Sequence, residues 1–446
     1  MSGVRIKKFL ARLVVGALHS SVEPQRVLRR IARFQREGSR VSVIIPTKNG
    51  ITNGLLRCVD SLRQQTHKNI EFIIVDSGST DGTLDYLHER RSADFKVIEI
   101  RPEDFRHDHA RNLGAENASG ELLLFTVDDC LFEDPLWLEH MIAVKRAYRL
   151  TCISSVQIPR EDADIYSRFL AFRFIKGVRL SPGLNIFGIF NPLGLFFRLI
   201  PGRQRSRFIH VDDVDNLCDR EFFLKNRYGI HTCEDMELGS KVLRRGRRFG
   251  FNLIKGVRHS HDYADLGKYF DRVFIDVQAI AVICEGPQKS RRARPGILDS
   301  IISAYALIYS SYAAWIEQNH RNIIVGENLG SRPGLRRAHR VGRAHAVVRP
   351  PLFHNLGLAA SIDLGLVNQK LVMQRSRRVN AIVEDMVQFF SPPFQQQTGL
   401  DTGLLVRTVF EAAFVNSMAA DLARAANRID DQTSHCSPHL LKLRWR

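Results

Sequence analysis

Three short stretches carry side chains whose types and spacing suit chemistry. Residues Gly120 to Asp134, GELLLFTVDDCLFED, run apolar for the length of a strand and stop at two adjacent carboxylates, Asp128 and Asp129. A buried parallel strand that ends in acids presents them at its carboxyl edge, where open α/β sheets bind ligands. Cys233-Glu234-Asp235-Met236-Glu237-Leu238-Gly239 opens a helix whose apolar residues run on to Arg244, Arg245, Arg247 and Arg248. Acids at a helix start and cations at its end suit the helix dipole, which accounts for both groups without any reaction. A carboxylate in such a place can also take a proton from a hydroxyl within hydrogen-bond reach. Arg258-His259-Ser260-His261 sets two imidazoles on one face of an extended segment.

The elements that must position these groups alternate. Val41 to Ile45 (VSVII) is a continuous apolar strand, and Pro46-Thr47-Lys48-Asn49-Gly50 supplies turn residues that leave a sheet edge. Leu55, Leu56, Val59 and Leu62 make one face of a helix. Glu71 to Val75 forms the next strand and ends in Asp76-Ser77-Gly78-Ser79-Thr80-Asp81-Gly82-Thr83. The glycines there let backbone approach a ligand, and an acid just past a strand can grip a base or ribose edge; a plain turn accounts for the glycines alone. Lys96 to Ile100 reads as a third strand, followed by Phe105-Arg106-His107-Asp108-His109-Ala110-Arg111-Asn112-Leu113-Gly114 and a short helix before the acidic strand. Alternation over residues 41–150 predicts a parallel sheet covered on both faces, the nucleotide half of a domain.

In this order, VSVIIPTKN, EFIIVDSGSTDGT, FRHDHARNLGAENASGE, the acidic strand end, CEDMELG and HSH resemble the family 2 glycosyltransferases, and more narrowly their bacterial rhamnosyltransferase-like members. The resemblance covers residues 41–285. It implies an α/β GT-A fold and transfer of a sugar, rhamnose being one candidate, from a nucleotide-sugar donor to a hydroxyl of a glycan or lipid-linked acceptor, with inversion. By motif position it assigns Pro46, Thr47 and Asn49 to the base pocket, Asp76 to the nucleobase or ribose, and Arg111 to the neighbourhood of the nucleotide. The family's usual Asp-x-Asp is altered, for Val127 stands at the first acid, Asp128 at the middle and Asp129 at the second. The resemblance therefore makes Asp129 a ligand of Mg²⁺ or Mn²⁺ and leaves Asp128 either beside the donor or facing away, since strand neighbours point to opposite sides. It makes Asp235 the base, Glu234 an orienting group or acceptor contact, and His259 the histidine metal ligand, with His261 kept open. Thr151 to Arg160, including Gln157, resembles the stretch that forms the acceptor side.

Length and charge set the outer bounds. The chain has 446 residues, 44% hydrophobic, with a net charge of +18. That suits a globular protein with an anionic partner: nucleic acid, phosphorylated metabolites or an anionic membrane face. No basic-aromatic recognition motif accompanies the charge, and no nucleic-acid partner is expected. Seven scattered cysteines without C-x-x-C spacing read as reduced thiols of a cytoplasmic protein. In residues 1–40, Leu10, Leu13, Val14, Ala17 and Leu18 recur at helical spacing among Arg5, Lys7, Lys8 and Arg12. This basic amphipathic segment reads as uncleaved, and either lies on an anionic leaflet or packs on the catalytic domain. Gly183 to Ile200 (GLNIFGIFNPLGLFFRLI) is an apolar, aromatic loop that either dips into a membrane or is buried. Residues 286–446 form a mainly helical region. In it, Ser300 to Ile316 is an interfacial or buried helix rather than a span, Arg332 to Arg349 a basic linker, and Leu405, Val409, Phe414, Met418 and Leu422 one helix face. The whole reads as a peripheral enzyme of cell-envelope polysaccharide assembly at the inner face of the cytoplasmic membrane. The alternative is a nucleotide-sugar-binding scaffold without turnover, motivated by Val127.

Overall fold

The computed structural model describes residues 16, 18–33, 38–261, 265–286, 297–325, 369–390 and 402–426. The amphipathic pattern over Leu10 to Ala17 and the basic linker Arg332 to Arg349 lie outside the described residues.

The chain divides into two compact units, of which the first comprises residues 1–161, 175–260 and 283–285. Its core is one sheet of nine strands: β1 (His19–Val22), β2 (Val41–Thr47), β3 (Ile70–Asp76), β4 (Phe95–Glu99), β5 (Leu122–Thr126), β6 (Cys152–Ile158), β7 (Leu184–Phe187), β8 (Asp215–Asp219) and β9 (Phe249–Arg258), in the order β1-β7-β9-β6-β8-β5-β2-β3-β4. β2 pairs in parallel with β3 and β5, β3 with β4, and β6 with β9. β8 runs antiparallel between β5 and β6. Every residue of β5 is buried, the mark of a strand covered on both faces. The covering helices include α1 (Pro24–Ile31), α2 (Leu55–Arg63), α3 (Thr83–His88), α4 (His107–Glu116), α5 (Trp137–Ala147) and α6 (Glu234–Arg244). This mostly parallel sheet between helices is the GT-A arrangement expected from the motifs.

Strand directions fix where chemistry sits. β2, β3, β5, β6 and β9 all point the same way, so Thr47, Asp76, Asp128, Asp129, Arg160 and His259 emerge at one edge. Antiparallel β8 begins at that same edge, bringing Asp212, Asp213 and Asp215.

Two segments differ from the sequence reading. Residues 19–22 do not continue a helix: they form edge strand β1, antiparallel to β7, and α1 starts only at Pro24, whose fixed φ suits a first helical position. The stretch Gly183 to Ile200 is not all loop, since its first residues are the fully buried β7.

The second unit comprises residues 162–174, 261–282 and 286–446. Its described helices include α7 (Leu266–Glu285, grouped here as far as residue 282), α8 (Ile297–Val325), α9 (Gln369–Phe389) and α10 (Thr402–Ala426). Tyr305, Tyr309, Val379, Met386, Val409, Phe414 and Met418 share one apolar core. Ser300 to Ile316 thus lies in a buried helix, and among the described residues no helix is long and apolar enough to cross a membrane. All described cysteines carry free thiols.

Candidate active site

Two loops make the first wall. Ser77 N donates to Thr47 O at 3.0 Å, Asn49 N to Ser79 Oγ at 2.7 Å, and Thr80 N to Asn49 Oδ1 at 2.9 Å. Asn49 takes a left-handed φ of 56°, a conformation its short polar side chain tolerates. Asp76 is fully buried, and its Oδ1 accepts from the backbone of Gly78 at 2.9 Å and Ser79 at 3.0 Å while Oδ2 accepts from Ser79 Oγ. The carboxylate therefore shapes the loop as well as lying at its root. Pro46 is half-buried between these loops and the strand.

The acidic strand end forms the second wall. Asp128 accepts from Thr47 Oγ1 at 2.7 Å; burial pushes its carboxyl up to about 6 against that bond, with the Asp129 charge adding to the rise. Leu131 and Arg258 exchange backbone hydrogen bonds of 3.0 and 2.9 Å, which lays the residues after β5 along the end of β9. Asp129 Oδ1 consequently stands 3.4 Å from His259 Nε2, while its Oδ2 accepts from Arg160 Nη1 at 2.9 Å. His259 is 2% exposed, and its Nδ1 lies 2.9 Å from Gln157 Oε1. Gln157 Nε2 in turn donates to Asp212 Oδ2. An amide that donates to a carboxylate offers its oxygen to the imidazole, so Nδ1 is a donor and Nε2 is the ring nitrogen that faces Asp129.

That arrangement fits a divalent cation. An imidazole whose far nitrogen is held by a hydrogen bond, beside a carboxylate, is an ordinary metal-ligand pair for Mg²⁺ or Mn²⁺ with phosphate and water completing the shell. Among the described residues no group of three or more His, Cys, Asp or Glu side chains is gathered to hold a metal. His261 belongs to the second unit, where its carbonyl accepts from Ser167 Oγ.

The third wall is the start of α6. Cys233 caps it in a left-handed conformation, and Glu234 and Asp235 occupy the first turn. Glu234 Oε1 accepts from Arg111 Nη1 at 2.7 Å, and Arg111 Nε lies 3.5 Å from Asp213 Oδ2. Asp213 Oδ1 also accepts from Tyr228 at 2.7 Å and Asn216 at 3.1 Å. Arg111 is thus a buried counter-ion among acids, anchored to Glu234 rather than projecting alone into an open cleft. Burial pushes the Glu234 carboxyl up to about 7, with Arg111 opposing. Burial and then the charges of Asp213, Glu234 and Asp212 push Asp235 well above the usual carboxylate range. A carboxylate of raised proton affinity is a stronger base once ionised.

Asp213, Asp215 and Tyr228 escaped the sequence reading. The run Asp212-Asp213-Val214-Asp215, three acids ahead of a short apolar pair, was the available signal.

Residues 42–200 match the model of glycosyl transferase family 2. That stretch is similar to the glycosyltransferase domain of the family. The chain is similar to the O-antigen chain rhamnosyltransferase WbaN of Salmonella anatum, 23% identical over 250 residues that cover 52% of this chain and 70% of that one. It is equally similar to RfbN of Salmonella typhimurium, at 23% over 254 residues, 52% of this chain and 71% of the relative. Among solved structures, the mannosyltransferase PcManGT of Pyrobaculum calidifontis, in complex with GDP-Man and Mn²⁺, overlays with a TM-score of 0.40 at 16% identity, covering 92% of this chain and 94% of that one.

Proposed function

We propose that this glycosyltransferase moves a sugar from a nucleotide-sugar donor to a hydroxyl of a glycan or lipid-linked acceptor by single displacement, inverting the anomeric centre. The observation that carries the reading is the link between the Asp129–His259 pair and the acids that open α6: Asp212 accepts from the Gln157 amide that holds His259, and its charge also acts on Asp235. Rhamnose is the first sugar to test, because both Salmonella relatives bear the name of rhamnosyltransferases.

Asp129 and His259 would hold Mg²⁺ or Mn²⁺, whose charge offsets that developing on the nucleoside diphosphate as it leaves. Asp235 accepts the proton of the acceptor hydroxyl, which is a poor nucleophile until that proton is taken. Glu234, fixed by Arg111, orients the first turn of α6. The loops around Pro46, Thr47, Asn49 and Asp76 take the nucleoside, with Asp128 beside the donor. His261 is retained as the second histidine candidate. The protein works at the inner face of the cytoplasmic membrane, in peripheral contact with anionic lipid, and serves envelope polysaccharide assembly.

Nucleoside diphosphate release, measured across a panel of nucleotide sugars with Mn²⁺ or Mg²⁺ and with membrane extract as acceptor, tests this reading. Turnover on one donor that chelator stops, and that Asp235→Asn lowers at least about a hundredfold while donor affinity stays within about twofold, is the expected result. Val127, in place of an acid, and the two-residue metal pair favour a second reading, a binding scaffold. Donor binding without release on any donor would establish it instead.

A further inference from the structure

The segment after β7 displays large apolar side chains in water. Phe190 is 61% exposed, Leu193 87%, Leu195 53% and Leu199 62%. Isolated exposed leucines are ordinary, but four large ones within ten residues make a patch that needs an explanation.

The patch is also held in place. Asn191 Nδ2 donates to Leu243 O at 2.7 Å and Asn191 Oδ1 accepts from Phe197 N at 3.1 Å, tying the segment to the end of α6. Gly194, with φ 77°, lies so close that a Cβ there would stand 2.1 Å from Arg244 O. Leu193 itself has a φ of 51°, a conformation costly for a leucine, yet its side chain gains no burial in return. A strained backbone that pushes its largest apolar group outward is a feature of display, not of packing.

Around this tip cations outnumber anions, with Glu221 near Arg247 and Glu285 beside Gly202 as neighbouring carboxylates. Arg198, Arg245, Arg247 and Arg248 are exposed, and Arg205 and Arg244 flank the buried Phe197 ring at 5.7 and 5.8 Å. Arg198, Arg205 and Arg244 hydrogen-bond backbone carbonyls, and none of the three pairs with a carboxylate among the described residues. Burial and then the charges of Arg205 and Arg198 push the Arg244 guanidinium down from its usual value. Leu18 O accepts from Gly188 N at 2.6 Å, which joins the start of this segment to the residue just before β1.

We infer that Phe190, Leu193, Leu195 and Leu199, collared by Arg198, Arg244, Arg245 and Arg247, form the surface that docks this protein on an anionic phospholipid leaflet. Aliphatic and aromatic tips enter the acyl boundary while guanidinium groups meet headgroup phosphates. This deepens the membrane-peripheral part of the proposed function and rests on it.

The test is co-sedimentation of the full chain with vesicles of phosphatidylcholine alone and with phosphatidylglycerol added, donor turnover being read on the same samples. The wild type should bind the anionic vesicles at least about tenfold better, and salt should weaken that binding. Leu193→Asn keeps the left-handed backbone without strain, so its melting curve should hold or rise while vesicle binding falls about tenfold, the loss expected for one large aliphatic group kept out of the apolar layer. Leu199→Gln should lower binding further, and Arg198→Gln with Arg245→Gln should remove the preference for anionic lipid. Equal binding by Leu193→Asn/Leu199→Gln would overturn this surface and leave membrane contact to another part of the chain. Absence of wild-type binding would overturn both the surface and the peripheral reading, with transfer judged separately by turnover. Loss of self-association in the double variant, with vesicle binding intact, would assign the patch to a second copy and overturn the proposal.

Discussion

Gln157 gives its amide to two neighbours, Nε2 to the Asp212 carboxylate and Oε1 to His259. A leucine there keeps the volume and removes both bonds, so His259 is free to carry its proton on Nε2. We expect Gln157→Leu to weaken Mn²⁺ binding about tenfold or more, as loss of an outer partner of a ligating histidine does. Calorimetric titration with Mn²⁺ alone measures this, and unchanged affinity would remove Gln157 from the metal corner. The raised Asp235 carboxyl makes a second statement about pH. It must lose its proton to act as base, so turnover should rise with pH through a limb lying above the ordinary carboxylate range, and a limb near 4 would contradict its role. At this scale the sequence offered candidates where chemistry comes in motifs: Asp129, Asp235 and His259 stand out from their neighbours in the chain, and Asp129 and His259 lie 3.4 Å apart. It was silent where a group matters by proximity alone. Arg111 meets a glutamate 123 residues away, and Tyr228 belongs to the same buried cluster through folding with no local pattern to mark it, whereas Asp213 stood in a visible run of acids.

Elements are fastened at the amino-terminal edge of the sheet, opposite the site. Glu71 of β3 is buried there and accepts from Ser42 Oγ of β2 and from the backbone of Ser119 and Gly120, ahead of β5. Burial alone would raise its carboxyl, but the Ser42 and Ser119 bonds and the Lys96 charge hold it down to about 2. A carboxyl depressed in the fold contributes stability that is complete above its unfolded value, near 4.5, and fades as pH falls toward 2. Glu71→Gln should therefore cost about 1–3 kcal/mol in urea unfolding at pH 7 and clearly less at pH 3. An equal cost at both would deny the carboxylate this part. The strands joined there were legible because VSVII, EFIIV and ELLLF are each apolar at four of five positions without alternation, as strands buried on both faces require. β1, β7 and β8 were not. β1 and β7 are four residues each, and β8 (DNLCD) begins and ends in acids, so neither length nor periodicity distinguishes them from loop.

For the whole molecule, the long helices were legible in part. Leu405, Val409, Phe414, Met418 and Leu422 do lie in α10, and the last four of them share one core with α8 and α9 residues. The charge of +18 pointed to an anionic partner without saying where, since charge in a composition carries no position. The nine-stranded sheet has a further consequence, for the order in which the protein is made. β8 fills the gap between β5 and β6, and β9 joins β6 to β7, yet both are synthesised after residue 200, beyond the stretch that the family model matches. A nascent chain that has reached residue 200 holds the loops of the nucleoside wall but leaves β5 and β6 with open edges, and it lacks Asp235 and His259 altogether. Open apolar edges invite pairing with other chains. A fragment of residues 1–200 should accordingly elute from size exclusion as aggregate where the full chain does not, and a monomeric, well-folded fragment would contradict this. Ribosomal emergence thus keeps the catalytic edge unfinished until β9 has passed the exit: its first wall is translated some two hundred residues before the histidine that completes the second.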